Sequence, residues 1–455
     1  MAVLGELLPR IQTAPPGPES RRWVDELAAT ECPALTQRRA RRNERAGASL
    51  DPIVWSQARG ANVQDADGNV YVDLSAGFGA ASVGHAHPRV VAALNAQSSR
   101  LLHALGDLQP SDVKVQLLSR LAALFSGRAG STDAGRANDD CRVMLGLSGS
   151  DAVEAALKTA LLFTRRPGVI AFEGGYHGLS HGPLAACGYN SAFRAPFAEQ
   201  LNPHVEFAPY PHRSADLAAA LAAVSGALQG TSRVGAVLVE PVLGRGGVIV
   251  PPPEFLPELA GLCQRHGALL IVDEVMTGLG RTGSMFAFES SGVRPDLLCL
   301  GKALGGGMPV SACIGRTRVM ESWRQSEGEA LHTGTFFGHP LSAAAALATL
   351  DVLADEQLCA RAAEVGARLL AHLTTLRAKH SRITDVRGRG LLIGIELDSG
   401  ARALRCVQAL LERGYIVVPA AADARVLALS PPLCITQAQL DGFVRAFEAS
   451  LELHA

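Results

Sequence analysis

Lysine is scarce in this chain. Only Lys114, Lys158, Lys302 and Lys379 occur among 455 residues, and arginine supplies almost all of the positive charge. Paired cysteines are lacking too: the nine cysteines are scattered, odd in number and never spaced C-x-x-C, which argues against a zinc module and favours reduced thiols over a disulfide framework. No metal site is expected. Nor is there a run of about 18 apolar residues, the length a membrane-spanning helix needs. The opening MAVLGELLPRIQTAPPGPES has no basic segment followed by a long apolar one, and a cytoplasmic location is the expectation. Net charge is nearly absent, at -1, so no global field draws the chain to nucleic acid or to a membrane. The local cluster Arg38, Arg39, Arg41, Arg42 and Arg45 has no interleaved aromatics and reads as a solvated arm.

What is present is a globular composition, 48% hydrophobic and 19% charged, on a chain long enough for two or three packed units. NVQDADGNVYVD, from Asn62 to Asp73, alternates around Asp67-Gly68 and signals a hairpin. Beyond Gly84, helical patterns at 88–105, 112–124, 151–164, 214–228 and 254–266 alternate with the apolar runs CRVMLGL, GVIAF, VGAVLVE, ALLIVDE and LLCLG. That alternation predicts an α/β fold with a mostly parallel sheet covered on both faces. From Leu341 onward, two helices, the strand pair ITDVRGRGLLIGIEL, a helix at 401–413 and a last strand and helix predict a smaller α+β unit.

Four stretches could carry chemistry. ALLIVDEVMTG ends an apolar strand on Asp273 and Glu274. A nucleotide hydrolase holds magnesium with such a pair, but only with G-x-x-x-x-G-K-[ST] upstream, which this sequence lacks. Asp273 is either a cap or turn acid, or a carboxylate at the strand end where open α/β sheets bind ligands; buried there, it needs a cationic or hydrogen-bonding partner to stay ionised. Ser148-Gly149-Ser150 runs straight into a helical pattern. It is either an ordinary helix start, Asp151 and Glu154 having capping-box spacing, or a phosphate seat made by free N–H groups and the helix dipole. Tyr176 and His177 follow Gly174-Gly175 after a strand, and Tyr176 is either core or a ring placed to stack on a flat heteroaromatic. Lys302 ends the run PDLLCLGK and precedes Gly305, Gly306 and Gly307. Desolvation lowers an ammonium's pKa and frees a neutral amine to act as nucleophile or base. The three glycines are expected to let the backbone pass close to a bound ligand. The other three lysines fall on predicted helices and read as solvent-facing.

The strings VEPVLGRGGVIVPP, LLIVDEVMTGLGRTG, PDLLCLGKALGGGMPVSA and HTGTFFGHPLSAAAALA, in this order and spacing, resemble the class III aminotransferases that use pyridoxal 5'-phosphate. The resemblance extends through DADGNVYVDLSAGFGAASVGHAHP, SGSDAVEAALK, FEGGYHG, VRGRGLLIGIEL and LSPPLCIT. It implies an α/β fold of fold type I, with a lysine-bearing, mostly parallel seven-stranded sheet and a smaller α+β domain built from both chain ends. Residues 1–75 would form an arm and part of the small domain, 76–340 the large cofactor domain, and 341–455 the rest of the small domain. The resemblance further implies that Lys302 forms the internal aldimine, Asp273 pairs with the pyridine nitrogen, and Val275 and Tyr176 cover the two ring faces. The backbone of Gly149 and Ser150 would hold the phosphate. Thr335 would reach the phosphate of a neighbouring subunit, making the assembly a homodimer. His177, Glu240 and Met276 complete the implied cofactor-binding set. The implied reaction is ping-pong transfer of an amino group from an amine or omega-amino acid to an oxoacid; a racemase or aminomutase, or a decarboxylating relative, is the alternative on the same scaffold.

Two departures stand out. Met276 occupies a position where many relatives carry glutamine. Ala428, three residues before Pro431-Pro432, occupies a position where relatives acting on α-amino acids or 2-oxoglutarate often carry a carboxylate-binding arginine. With that arginine, its usual partner, missing, Glu240 is expected to be left unpaired. Either Arg245 or Arg425 supplies the clamp, or the donor binds differently, as in enzymes for ω-amines.

Overall fold

Runs that are apolar throughout become central strands here, because a parallel strand covered on both faces exposes neither of them. The computed structural model describes residues 4–35, 41, 44, 52–127, 141–230, 233–325 and 327–452; Arg38, Arg39, Arg42 and Arg45 of the basic cluster lie outside the described residues. In chain order the first strands are β1 (Trp55–Arg59), β2 (Asn62–Asp65) and β3 (Val70–Asp73). The middle supplies β4 (Cys141–Gly146), β5 (Gly168–Phe172), β6 (Val205–Ala208), β7 (Val234–Val239), β8 (Leu269–Asp273), β9 (Leu297–Leu300) and β10 (Ser311–Arg316). The tail adds β11 (Ile383–Arg389), β12 (Leu392–Leu397), β13 (Tyr415–Ile416), β14 (Val418–Ala420) and β15 (Val426–Leu429).

The middle strands form a seven-stranded sheet in the order β4-β10-β9-β8-β7-β5-β6. β10 runs antiparallel to both neighbours, and the other pairings are parallel. The α/β expectation holds, and five of the seven strands are the apolar runs read from sequence. β6 and β10 were not among them. β6 is a four-residue edge strand, half exposed, and β10 mixes Ser311, Gly315 and Arg316 with its apolar residues, so neither shows a continuous run.

The predicted hairpin forms between β2 and β3, closed by the Asp65 carboxylate, which accepts the N–H groups of Asp67 and Asn69 at 3.0 and 2.8 Å. β13, from the far end of the chain, adds to β3 in parallel, so both chain ends share the sheet β1-β2-β3-β13. A third sheet has the order β11-β12-β15-β14. The helix expected over 88–105 stops at Ser98: the hydroxyls of Ser98 and Ser99 both turn back onto the Asn95 carbonyl at 2.9 and 3.1 Å, competing with the helical ladder. Among the described residues no helix is long and apolar enough to cross a membrane.

Candidate active site

The carboxyl ends of the parallel strands open into one cleft of about 1120 Å³, walled on the far side by residues of β12, β14 and β15. Asp273 ends β8. Leu269 to Val272 before it are each no more than 2% exposed, and burying such a side chain stabilises the fold by about 1.5–3 kcal/mol; that anchoring fixes where the carboxylate emerges. One Asp273 oxygen accepts the Val275 N–H at 3.0 Å, and the other lies 2.7 Å from Nδ1 of His177. His177 is itself buried. Burial favours the neutral imidazole, but the hydrogen bond and charge of Asp273, with the charge of Glu240, outweigh it and raise the pKa.

Glu274 turns away to a different task. Its carboxylate accepts the N–H groups of Ala287 and Phe288 at 2.7 and 2.8 Å, at the start of the short turn Ala287–Ser291. Burial pushes its pKa up to about 7, against the pull of those N–H groups, from an ordinary 4.5. Between those pH values the fold holds a proton that the unfolded chain has lost, so stability falls as pH rises through the window, by roughly 3 kcal/mol at most at ~1.36 kcal/mol per unit. Glu274→Gln removes this titration. Its Tm relative to wild type should therefore rise between about pH 5 and about pH 8, and a constant difference across that range would contradict the assignment.

Lys302 follows β9 directly and has φ +38, a left-handed conformation uncommon in residues bearing a β-carbon; such strain costs about 1–3 kcal/mol and gathers at functional sites. Its amine makes no hydrogen bond or ion pair with any described residue. Burial lowers its pKa; the Asp273 and Glu240 carboxylates pull it back up, while the Arg245 charge lowers it further.

The glycines after Lys302 do not line the cleft, which corrects the expectation placed on them. Gly306 has φ +57, and a β-carbon there would meet the Thr349 hydroxyl and Val90. The triplet thus reverses the chain and packs it against the helices Pro340–Asp355 and Pro88–Ser98. The glycine that matters for close approach is Gly149, where a β-carbon would come within 2.8 Å of Val275. Gly149 and Ser150 open the helix Gly149–Thr164, and both line the cleft. The capping box joins Ser148 to Asp151, one turn earlier than the spacing of Asp151 and Glu154 implied, because Ser148 is extended and its hydroxyl meets the Asp151 N–H at 3.2 Å. The N–H groups of Gly149 and Ser150 then have no acceptor within their own helix.

Glu240 does not lack partners, contrary to expectation. It accepts the N–H groups of Tyr176 and Gly244 at 2.9 and 3.0 Å and so ties together the loops after β5 and β7. Tyr176, Val275 and Met276 line the cleft, as does Ala428 in β15. Of the two arginines considered as clamps, Arg425 is outside the lining and pairs with Asp423, whereas Arg245 is in it. Thr335 is exposed on a turn outside the lining. Sequence reading missed Tyr189, Phe193 and the wall from Ala420 to Ala424. Tyr189 lies on a loop, Phe193 in the four-residue helix Ser191–Arg194, and Ala420 ends β14 with the rest of the wall following it, all too short for periodicity to mark, and only the fold brings them to the cleft.

An amine-bearing cleft at the strand ends of such a sheet defines the class: a pyridoxal 5'-phosphate enzyme of fold type I. A family model, Aminotransferase class-III, matches residues 45–451, and the chain belongs to that family. It is 39% identical over 401 residues to the acetylornithine aminotransferase of Mycobacterium bovis, covering 88% of this chain and 92% of that one. With the acetylornithine aminotransferase of Methanothermobacter thermautotrophicus it shares 37% identity over 396 residues, 86% and 92% of the two chains. Among solved structures, an ornithine aminotransferase from Toxoplasma gondii matches with a TM-score of 0.82 at 32% identity, covering 96% of this chain and 95% of that one. An amine transaminase from an uncultivated Pseudomonas species, in its PLP-bound internal aldimine form, matches with a TM-score of 0.81 at 31% identity, covering 89% and 95%.

The residues present suit the cofactor. An amine without a partner, a buried carboxylate and the free N–H groups of a helix start complement an aldehyde, a ring nitrogen and a phosphate respectively.

Proposed function

We propose that the enzyme moves an amino group between the end of an aliphatic chain, in an ω-amino acid or amine, and an oxoacid. In this reading Lys302 holds the cofactor through its amine, Asp273 its ring nitrogen, Val275 and Tyr176 its faces, and the Gly149 and Ser150 N–H groups its phosphate. His177 holds Asp273, Glu240 holds the Tyr176 backbone, and Met276 packs near Gly244 at the same cleft. When bound, pyridoxal 5'-phosphate supplies an electron sink that acidifies the C–H of the substrate carbon bearing the amine. Lys302, with its pKa lowered by burial, takes that proton from the amine-bearing carbon as a neutral amine and returns it on the product side. The observation that carries the reading is the amine of Lys302, free of any described partner, in one cleft with the His177-backed Asp273.

The apolar lining at Leu392, Val418, Ala420 and Ala428 favours a chain-end donor over an α-amino acid. Relatives named for acetylornithine, ornithine and an amine agree with that choice. Within the same reading the enzyme is a cytoplasmic homodimer. The loop of Thr335 meets the 102–108 segment through Thr333 with Asp107 and Phe336 with His103, and Leu102, Leu105, Leu108 and Phe336 are all more than half exposed, which gives a second subunit an apolar face to cover.

Adding single donors to the holoenzyme should bleach its visible cofactor band, and an oxoacid should restore it, with 4-aminobutyrate, β-alanine or a related amine outrunning α-amino acids that have no chain-end amine. Inversion or migration of one enantiomer without any oxoacid would instead make the enzyme an isomerase. Restoring an arginine tests the wall: Ala428→Arg should raise kcat/KM for α-amino acids by about 10- to 100-fold, the worth of a charge-assisted pair. Unchanged values would remove Ala428 from the account of specificity.

A further inference from the structure

Arg245 lines the same cleft but has no part in the set of cofactor-holding residues given above. The Gly244 N–H bond to Glu240 fixes the loop after β7, and the Arg245 carbonyl accepts the Ala421 N–H at 3.0 Å. Its guanidinium carbon lies 4.4 Å from the centre of the Tyr176 ring, 4.9 Å from Tyr189 and 5.6 Å from Phe193. Tyr189 and Phe193 stack on each other, 6.0 Å apart at 19°, and the Tyr189 hydroxyl donates to the Ala421 carbonyl at 3.0 Å. Three rings and the opposite wall therefore hold the guanidinium in place.

Such contacts engage the faces of the guanidinium and leave its five N–H donors free at the edge. Among the described residues no acceptor and no carboxylate takes any of them. The acids of the cleft are already engaged: Asp273 with His177 and Val275, Glu240 with two N–H groups, Asp423 with Arg425. A cation that is fixed, faces a cleft and lacks a counter-ion is an anion site, and a planar fork suits a carboxylate. The charge of Arg245 also reaches the Lys302 amine and lowers its pKa, so both act on the same small volume.

We propose that Arg245 is the carboxylate-binding residue of this cleft, holding the acid of an ω-amino acid at the end remote from the reacting nitrogen. The assignment rests on the aminotransferase reading for the nature of the substrate, though not for the existence of the anion site. It moves the acid anchor from β15, where Ala428 offers none, to the loop after β7, and leaves the apolar wall to take the methylene chain.

The experiment is a calorimetric titration of the holoenzyme with pentanoate, an acid that cannot react, in wild type, Arg245→Leu and Arg245→Lys, alongside kcat/KM for 4-aminobutyrate and for n-butylamine, a chain without the acid. Arg245→Leu should weaken pentanoate about 10- to 100-fold, with Arg245→Lys between the two. It should lower kcat/KM for 4-aminobutyrate about 10- to 100-fold more than for n-butylamine, because any effect through Lys302 or Tyr176 falls on both chains whereas the loss of a charge-assisted bond falls only on the acid. Pentanoate failing to bind the wild type, or binding Arg245→Leu equally well, overturns the proposal. Equal losses for both amines, together with loss of the cofactor band, also overturn it, since Arg245 would then merely support Tyr176. Loss of pentanoate binding in the variant of an enzyme that turns over no ω-amino acid upholds the anion site and removes the donor reading instead.

Discussion

Lys302→Ala should lower turnover by at least about 10⁴-fold, because a single amine is proposed both to hold the cofactor and to carry the proton at the amine-bearing carbon of the substrate. The visible band of the holoenzyme should vanish in the same variant. Borohydride reduction of wild type followed by peptide mass mapping should place the cofactor on Lys302, and the mapping is unusually clean because the chain offers only Lys114, Lys158 and Lys379 as competitors. None of these competitors lines the cleft. A surviving band, with the label on one of those three, would overturn the assignment. Arginine should not rescue the variant, since a guanidinium keeps its proton at any accessible pH.

Asp273→Asn should cost about 10²–10⁴ in kcat while keeping the shape of the site, because it removes a charge opposite the ring nitrogen rather than a side chain's volume. It carries an independent signature. With the carboxylate gone, burial is left to act on His177 against a single remaining acid, Glu240, and the pKa of the imidazole must fall. Proton NMR of the His177 ring across the neutral range should therefore show a neutral imidazole in the variant at pH values where wild type is protonated. A variant with wild-type kcat would remove Asp273 from the catalytic assignment, and an unmoved His177 titration would mean that Asp273 does not govern it.

The part of the fold written in continuous apolar runs was readable without coordinates. β5, β7, β8 and β9 are buried end to end, so their residues must be apolar almost throughout, and the first polar residues at the end of each run are displaced to the rim of the sheet. For that reason Asp273 and Lys302 could be singled out as candidates by position alone, and Tyr176 by its place after the Gly174-Gly175 turn, whereas Glu240 entered only through the resemblance. What could not be read depends on contacts between distant segments. Nothing local distinguishes Gly305–Gly307, which fit beneath a helix, from Gly149, which fits against Val275. Nor could the sequence separate Arg245 from Arg425: both flank strands, and only folding sets one among three rings while the other meets Asp423. The expectation for Glu240 failed for a related reason, because its partners are backbone N–H groups, which every residue but proline possesses.

The union of β3 with β13 has a consequence in time. Val72 donates its N–H to the Gly414 carbonyl and Leu74 to that of Ile416, so this edge of the first hairpin stays open until residues 414–416 have left the ribosome. The gap from Asp73 to Tyr415 is 415 − 73 = 342 residues, or roughly 17–70 s of synthesis at ~5–20 residues per second. Throughout that interval the nascent chain carries an unpaired strand edge, the feature that invites pairing with a stranger. The central sheet can be complete long before the first hairpin finds its last neighbour.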